Sequence, residues 1–321
     1  VQSSDSGSKL KLFSGRAHPA LAEAIAGHLG VKLGRLVVND FPDTETAVRI
    51  DEDVRGRDVF VVQPTCPPVN QNLMELMVIL DAFKRASPYR VTAVLPYFGY
   101  ARQDRKDMSR VPITAKLVAN LLTAAGANRV LALDLHTAQI QGFFDIPVDH
   151  LYAVKEITGF VRSLNIPTDE LVVLSSDEGA IKKALIYQKR LNGQIAVVDK
   201  RRSSATKTEQ AHILGATVEG KHVCIFDDMI STAGTIAGAA IAAKKAGAKT
   251  VNVAATHGLL CGPAIQRLKD APIDRIGVSD SIPIPAEKML PNLQVISIAG
   301  LLATAIKRIH GNESVSDLFS E

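Results

Sequence analysis

Apolar, β-prone runs alternate with helix-period segments along nearly the whole chain, and this alternation constrains the fold more than any other feature. Strands are expected at Leu10–Phe13, Arg35–Val38, Val59–Gln63, Val91–Leu95, Val130–Leu133, Leu171–Leu174, Ile195–Val198, Val223–Phe226, Val251–Ala255 and Ile276–Val278. Helices are expected at Pro19–Leu29, Asn70–Ala86, Pro112–Ala125, Ala153–Leu164, Ala180–Leu191, Ile236–Ala246, Pro263–Asp270 and Leu301–His310. Strands separated by helices favour parallel pairing, because a crossover of helical length returns the chain to the same edge. The fold class is therefore α/β, with mainly parallel sheets flanked by helices.

The rhythm repeats. Val59 corresponds to Val223 at an offset of 164, Val91 to Val251 at 160, and Arg35 to Gln194 at 159. One α/β unit read twice predicts two similar domains, residues 1–150 and 151–321, meeting around Pro147–His150, with the last residues packing back on the first domain. The halves differ where chemistry is concerned. After its strand the second half has Asp227-Asp228 and then Ser231, Thr232, Ala233, Gly234 and Thr235; the first has Gln63 to Pro68, with three prolines. Proline removes N–H donors. One anion cradle per chain is expected, in the second half.

Composition excludes other classes. Charge is nearly balanced, 37 basic against 33 acidic residues, and spread out except at Arg102–Arg110 and Lys200–Arg202. Aromatic residues make up 5% and Trp is absent, so stacking platforms for single-stranded nucleic acid are scarce. No apolar stretch approaches membrane-spanning length. Three widely spaced cysteines, Cys66, Cys224 and Cys261, fit reduced thiols in the cytoplasm better than a disulfide framework or zinc site. Val1–Ser8 is polar and Ser-rich and reads as a tail without the apolar core of a signal peptide.

The motif at Asp227–Thr235 carries the most chemistry. A helix that begins in small residues leaves N–H groups open to an anion, and its dipole favours negative charge there. Adjacent carboxylates suit sugar hydroxyls. One turn could hold both ends of a ribose phosphate; the alternative is an acidic loop of the kind common in α/β proteins. Neither a P-loop nor a dinucleotide fingerprint is present, so a nucleotide needs other means. Tyr97–Lys106 follows a strand and offers aromatic rings for a base and Arg102, Arg105 and Lys106 for phosphates, or else is a solvated basic loop. His136 lies beyond the strand Val130–Leu133, where it can meet metal or phosphate or serve as a hydrogen-bonded structural residue. Lys200, Arg201 and Arg202 open a polar run that could close over a phosphoryl group. Asp177 at another strand end suits magnesium or a sugar. Asp43 and Glu45 place two acids in a turn.

Together, Tyr100–Lys106, Pro112–Lys116, Ala132–His136, Gln139–Asp145, Asp199–Arg202 and Asp227–Thr235 resemble the ribose-phosphate diphosphokinases, also called phosphoribosyl pyrophosphate synthetases. The last motif is shared with phosphoribosyltransferases; the others are not. The resemblance spans about Leu10 to Phe319 and implies two phosphoribosyltransferase-like domains. It further implies magnesium-dependent transfer of the β,γ-diphosphoryl group of ATP to the 1-hydroxyl of ribose 5-phosphate, releasing AMP for nucleotide biosynthesis. By that likeness Asp43, Thr44 and Glu45 contact adenine from a neighbouring subunit, and Arg102 and Gln103 bind ATP. His136 binds ATP and lies near magnesium, and Asp177 holds magnesium or sugar. Lys200 and Arg202 neutralise the transferring group, and Arg202 also binds ribose 5-phosphate. Asp227 and Asp228 take the ribose hydroxyls, and Ser231, Thr232, Ala233, Gly234 and Thr235 take the 5-phosphate. Ser314, Val315, Ser316 and Phe319 line an effector site for phosphate and ADP, in a hexamer of dimers.

Three positions depart from the family pattern. Thr44 stands where glycine is usual, Ser231 where aspartate is usual, and Ser176 where proline is usual. Two rivals compete. A phosphoribosyltransferase would leave Arg102, Gln103 and Lys200–Arg202 unexplained; a non-catalytic paralogue would be expected to lose His136 or the lid cations, and both are present.

Overall fold

The computed structural model describes residues 9–200 and 211–318. The chain divides into two compact units, one of residues 1–152, 281–283 and 298–321, the other of residues 153–280 and 284–297.

The first unit opens with β1 (Leu10–Ser14) and α1 (Pro19–Leu29), then the hairpin β2 (Leu36–Asp40) and β3 (Thr46–Ile50). β4 (Asp58–Val62), α2 (Val69–Arg85), β5 (Arg90–Leu95), α3 (Thr114–Ala125), β6 (Arg129–Leu133) and β7 (Val148–Leu151) follow. The bounds of α1 come from its caps. Pro19 sits in the first turn, His18 accepts the Leu21 N–H, and Gly30 closes the far end at φ +68. The sheet runs β1-β4-β5-β6-β7, all parallel. Val59, Val61, Val91 and Ala93 share one core with Leu76, Ile79 and Phe83 of α2 and Val118 and Leu122 of α3. β4 is buried along its whole length, as a strand covered on both faces must be.

The second unit holds α4 (Val154–Ser163), β8 (Leu171–Ser175), α5 (Ile181–Leu191), β9 (Gln194–Lys200), β10 (Ala211–Gly215) and β11 (His222–Ile230). It continues through α6 (Gly234–Lys245), β12 (Thr250–Gly258), α7 (Ala264–Asp270), β13 (Arg275–Ser279) and β14 (Leu293–Ile296). Its sheet runs β10-β9-β8-β11-β12-β13-β14, with only β10 antiparallel. The alanines of α6 (Ala239, Ala240, Ala243) sit in one core with Val223, Ile225, Val251 and Val253. On the other face Tyr187 of α5 stacks on Phe226, ring centroids 3.9 Å apart. Gly277 is required here, since a Cβ would lie 2.6 Å from the Phe160 ring. The last helix, α8 (Ala299–His310), belongs to the first unit and packs against α1.

The duplication is visible as topology. β1-β4-β5-β6-β7 and β8-β11-β12-β13-β14 follow the same order, and each leaves a two-strand excursion between its first and second strands. The excursions differ: β2 and β3 form a separate sheet, whereas β9 joins the main one.

Four strands escape the sequence pattern, β3, β7, β10 and β14. β3 and β14 carry exposed positions, and β7 is a four-residue strand containing Asp149 and His150. Pro147–His150, read from sequence as a join between domains, runs directly into and forms part of β7. Cys66, Cys224 and Cys261 are free, and burial pushes the Cys66 thiol up to about 11 and the Cys224 thiol up to about 12. Thiols held protonated in this way are packing groups. No helix among the described residues is long and apolar enough to cross a membrane.

Candidate functional site

β11 does not stop at the two carboxylates. Its pairing with β8 ends at Ile225, but pairing with β12 continues to Ile230, so Asp227 and Asp228 lie on a strand with one side open. Asp227 folds back so that its Oδ1 accepts the Asp228 N–H at 2.8 Å. Lys183 Nζ, from the first turn of α5, reaches Asp228 Oδ1 at 2.7 Å and Asp227 Oδ1 at 3.6 Å. Burial, with the neighbouring Asp228 adding to it and Lys183 opposing it, pushes the Asp227 carboxyl up to about 7.

Ser231, Thr232 and Ala233 then turn into α6. Ala233 takes a left-handed φ of +59 and gives no side-chain cap. The first intrahelical bond runs from the Ala237 N–H to the Ala233 oxygen, 2.9 Å. The N–H groups of Gly234, Thr235 and Ile236 thus precede the helix ladder, at the turn read from sequence as an anion cradle. An alanine at positive φ costs about 1–2 kcal/mol, and strain of this kind gathers at functional turns. The loop after β12 braces the turn, since the Cys261 N–H donates to the Ser231 oxygen at 2.8 Å. Arg267 of α7 donates to the Thr232 oxygen at 3.0 Å, its guanidinium lying over the turn.

A stability prediction follows from Asp227. In the folded unit its carboxyl keeps a proton up to about pH 7, whereas unfolded it loses it near 3.8. Folding therefore takes up a proton between those values, and this group's contribution to stability falls as pH rises through the window. Asp227→Asn should flatten that slope, read as urea midpoints at pH 5 and 7.5.

At the corresponding strand end of the first unit, the space is closed by the chain itself. Gln63, the counterpart of Asp227, donates to Glu75 Oε1 at 3.0 Å and accepts the Ala17 N–H at 3.1 Å. Glu75 is buried and takes the Arg16 N–H and Nε at 2.7 and 2.6 Å. Asn72 donates to the Cys66 oxygen at 2.8 Å.

The first unit has its own loops at the carboxyl ends of β5 and β6. Arg102 and Gln103 are exposed in the loop after β5, and His136 is exposed after β6. Thr137 donates to Asp104 Oδ2 at 2.9 Å and joins the two loops. The loop bearing His136 is anchored by buried His150, whose Nε2 accepts the Leu135 N–H at 2.9 Å.

Asp43, Thr44 and Glu45 form the exposed tip of the β2–β3 hairpin, and their hydrogen bonds among the described residues stay within the tip. Thr44 has φ +73, the conformation that glycine adopts without cost. Thr44→Gly should stabilise the first unit by about 0.5–1 kcal/mol, relief of positive-φ strain outweighing the added chain entropy. A thermal melt is the check.

Asp177 caps the turn into α5, its Oδ1 accepting the Ala180 N–H at 3.0 Å. Lys200 ends β9; Arg202 and Phe319 lie outside the described residues. Ser314 and Ser316 face each other after α8, with Oγ atoms 2.5 Å apart, and Arg308 donates to the Ser314 oxygen. Val315 accepts the Leu318 N–H through its carbonyl at 3.0 Å. Among the described residues no three His, Cys, Asp or Glu converge on a metal position.

Sequence reasoning missed Lys183, His150 and Arg267. Lys183 carried one available signal, a cation in the first turn of a helix that has no acid there, where the dipole disfavours it.

A family model described as the N-terminal domain of ribose phosphate pyrophosphokinase matches residues 10–126, and a phosphoribosyl synthetase-associated domain matches residues 204–320. A ribose-phosphate pyrophosphokinase of Rhodopirellula baltica is 61% identical over 98% of this chain and 99% of its own length. The chain belongs to the ribose-phosphate pyrophosphokinase family. A second pyrophosphokinase, from Caldanaerobacter subterraneus, is 50% identical over 97% of this chain and 98% of its own. Among solved structures, phosphoribosylpyrophosphate synthetase from Mycobacterium smegmatis superimposes with a TM-score of 0.89 at 45% identity, covering 95% of this chain and 99% of that one. The two-unit α/β architecture is thus that of a pyrophosphokinase of this family.

Proposed function

We propose that the chain transfers the β,γ-diphosphoryl group of ATP to the 1-hydroxyl of ribose 5-phosphate, giving phosphoribosyl pyrophosphate and AMP. The observation that carries this is the second unit's pairing of Asp227-Asp228 with the open start of α6 on one turn, in a chain 61% identical to a ribose-phosphate pyrophosphokinase. The 1-hydroxyl gives up its proton to solvent as its oxygen bonds to the β-phosphorus, the bond from that phosphorus to the α,β-bridging oxygen breaks, and AMP leaves with the bridging oxygen.

Each unit has a part. The second unit is the sugar side: Asp227 and Asp228 accept ribose hydroxyls, and Ser231–Thr235 receive the 5-phosphate. The first unit is the nucleotide side, with Arg102, Gln103 and His136 on ATP and Asp43–Glu45 reaching adenine of a neighbouring subunit. Lys200 and Arg202 meet the charge of the transferring group. Asp177 in the second unit and His136 in the first are the residues that would hold magnesium, which would supply charge neutralisation. Ser231 can donate its hydroxyl to the 5-phosphate, so replacement of the family's aspartate alters affinity and leaves binding in place. Phosphate and ADP acting near Ser314–Ser316, assembly into a hexamer and a cytoplasmic location complete the reading.

The test is product identity. Protein incubated with ribose 5-phosphate, ATP, magnesium and phosphate should release AMP in step with phosphoribosyl pyrophosphate. ADP as the nucleotide product, or no turnover, would sink it.

A further inference from the structure

Two adjacent carboxylates on a buried strand repel each other when both are ionised, and a sugar hydroxyl donates best to a carboxyl oxygen that is held in place. Asp228 is buried and Asp227 is half-buried. Lys183 supplies the compensating charge, with its Nζ 2.7 Å from Asp228 and 3.6 Å from Asp227. Its location is locally unfavourable. It is the third residue of α5, at the positive end of the helix dipole, beside a second cation, Lys182, and with no acid in that turn. Nothing in the packing of α5 demands a lysine there, because the helix buries Ala184, Tyr187 and Leu191 on its core side. A residue that breaks a local rule yet makes a short ion pair at a candidate site points to function.

We propose that Lys183 is the positioning residue of the ribose site, holding Asp228 directly and Asp227 beside it in the arrangement that accepts the sugar hydroxyls. It acts through the two carboxylates, and the substrate need not touch it. The inference rests on the ribose 5-phosphate reading above.

Calorimetric binding of ribose 5-phosphate and, separately, of ATP to the full chain tests it, with thermal melts of each variant. Lys183→Met should weaken ribose 5-phosphate binding about tenfold or more, with ATP affinity unchanged, since a hydrogen bond to a charged group is lost. Lys183→Arg should recover affinity to within about threefold of wild type, because it keeps the cation within reach of Asp228. In an Asp228→Asn background, adding Lys183→Met should cost less than about twofold more, as expected for two residues acting through one contact. Equal affinity in wild type and Lys183→Met overturns the inference and leaves the reaction untouched. Parallel loss of ATP binding, or failure of Lys183→Arg to recover, assigns Lys183 a purely structural role and also overturns it. A wild-type protein that fails to bind ribose 5-phosphate removes the sugar-site reading and this inference with it.

Discussion

Lys200→Ala should lower kcat by about 10³-fold while leaving the Kd for ATP nearly unchanged. Lys200 is the last residue of β9. β9 pairs with β8 only as far as Val197 against Ser175. Beyond that, Val198, Asp199 and Lys200 pair with Ile213, His212 and Ala211 of β10 alone. The two strands thus run past β8 as a pair, with Lys200 the last residue of β9. In the proposed mechanism Lys200 meets the negative charge that moves between β-phosphorus and leaving group, more than the charge of bound ATP. An interaction made only in the transition state appears in kcat. Steady-state kinetics beside equilibrium ATP binding is the measurement, and an unchanged kcat would take Lys200 out of the mechanism.

Asp58→Ala should destabilise the first unit by about 3–5 kcal/mol, a large share of the roughly 5–15 kcal/mol that holds a typical domain. Asp58 is only 2% exposed and accepts three bonds: Arg90 Nε at 2.9 Å, Arg90 Nη2 at 2.5 Å and His310 Nδ1 at 2.9 Å. Arg90 also donates to the Ile309 oxygen at 3.2 Å, so the carboxylate ties the last turn of α8 to the edges of β4 and β5. Its removal leaves a largely buried guanidinium without its counter-charge. The exposed pairs Arg85–Asp81 and Arg49–Asp51 are the contrast. Alanine at Asp81 should cost less than about 1 kcal/mol. Urea unfolding of the two variants separates the cases, and equal midpoints would show that the Asp58 cluster contributes no more than a surface pair.

The architecture was legible because its signals are local. α1 was read to the residue, as Pro19 and Gly30 mark its ends by their own conformational limits. The buried strands β4, β5, β6, β8 and β12 announce themselves as short apolar runs. β3, β7, β10 and β14 do not, because they lie in hairpins or at sheet edges where polar residues are tolerated. The reach of β11 to Ile230 was also hidden. Its last residues are held by β12, and only the register with a strand some 30 positions on shows that Asp227 and Asp228 are strand residues.

The chemistry divides the same way. By itself the sequence determined the α/β rhythm, the duplication, and the joining of two carboxylates to an open helix start within Asp227–Thr235, since periodicity, turn residues and helix caps act over a few positions. The tertiary structure alone decided which charges meet. Lys183 reaches Asp228 across 45 positions, and Arg16, Gln63 and Glu75 close the first unit's matching strand end. The physical reason is that ion pairs and buried hydrogen bonds depend on strand order and on which face a helix docks. Those follow from packing the whole unit, and no short window of sequence contains them.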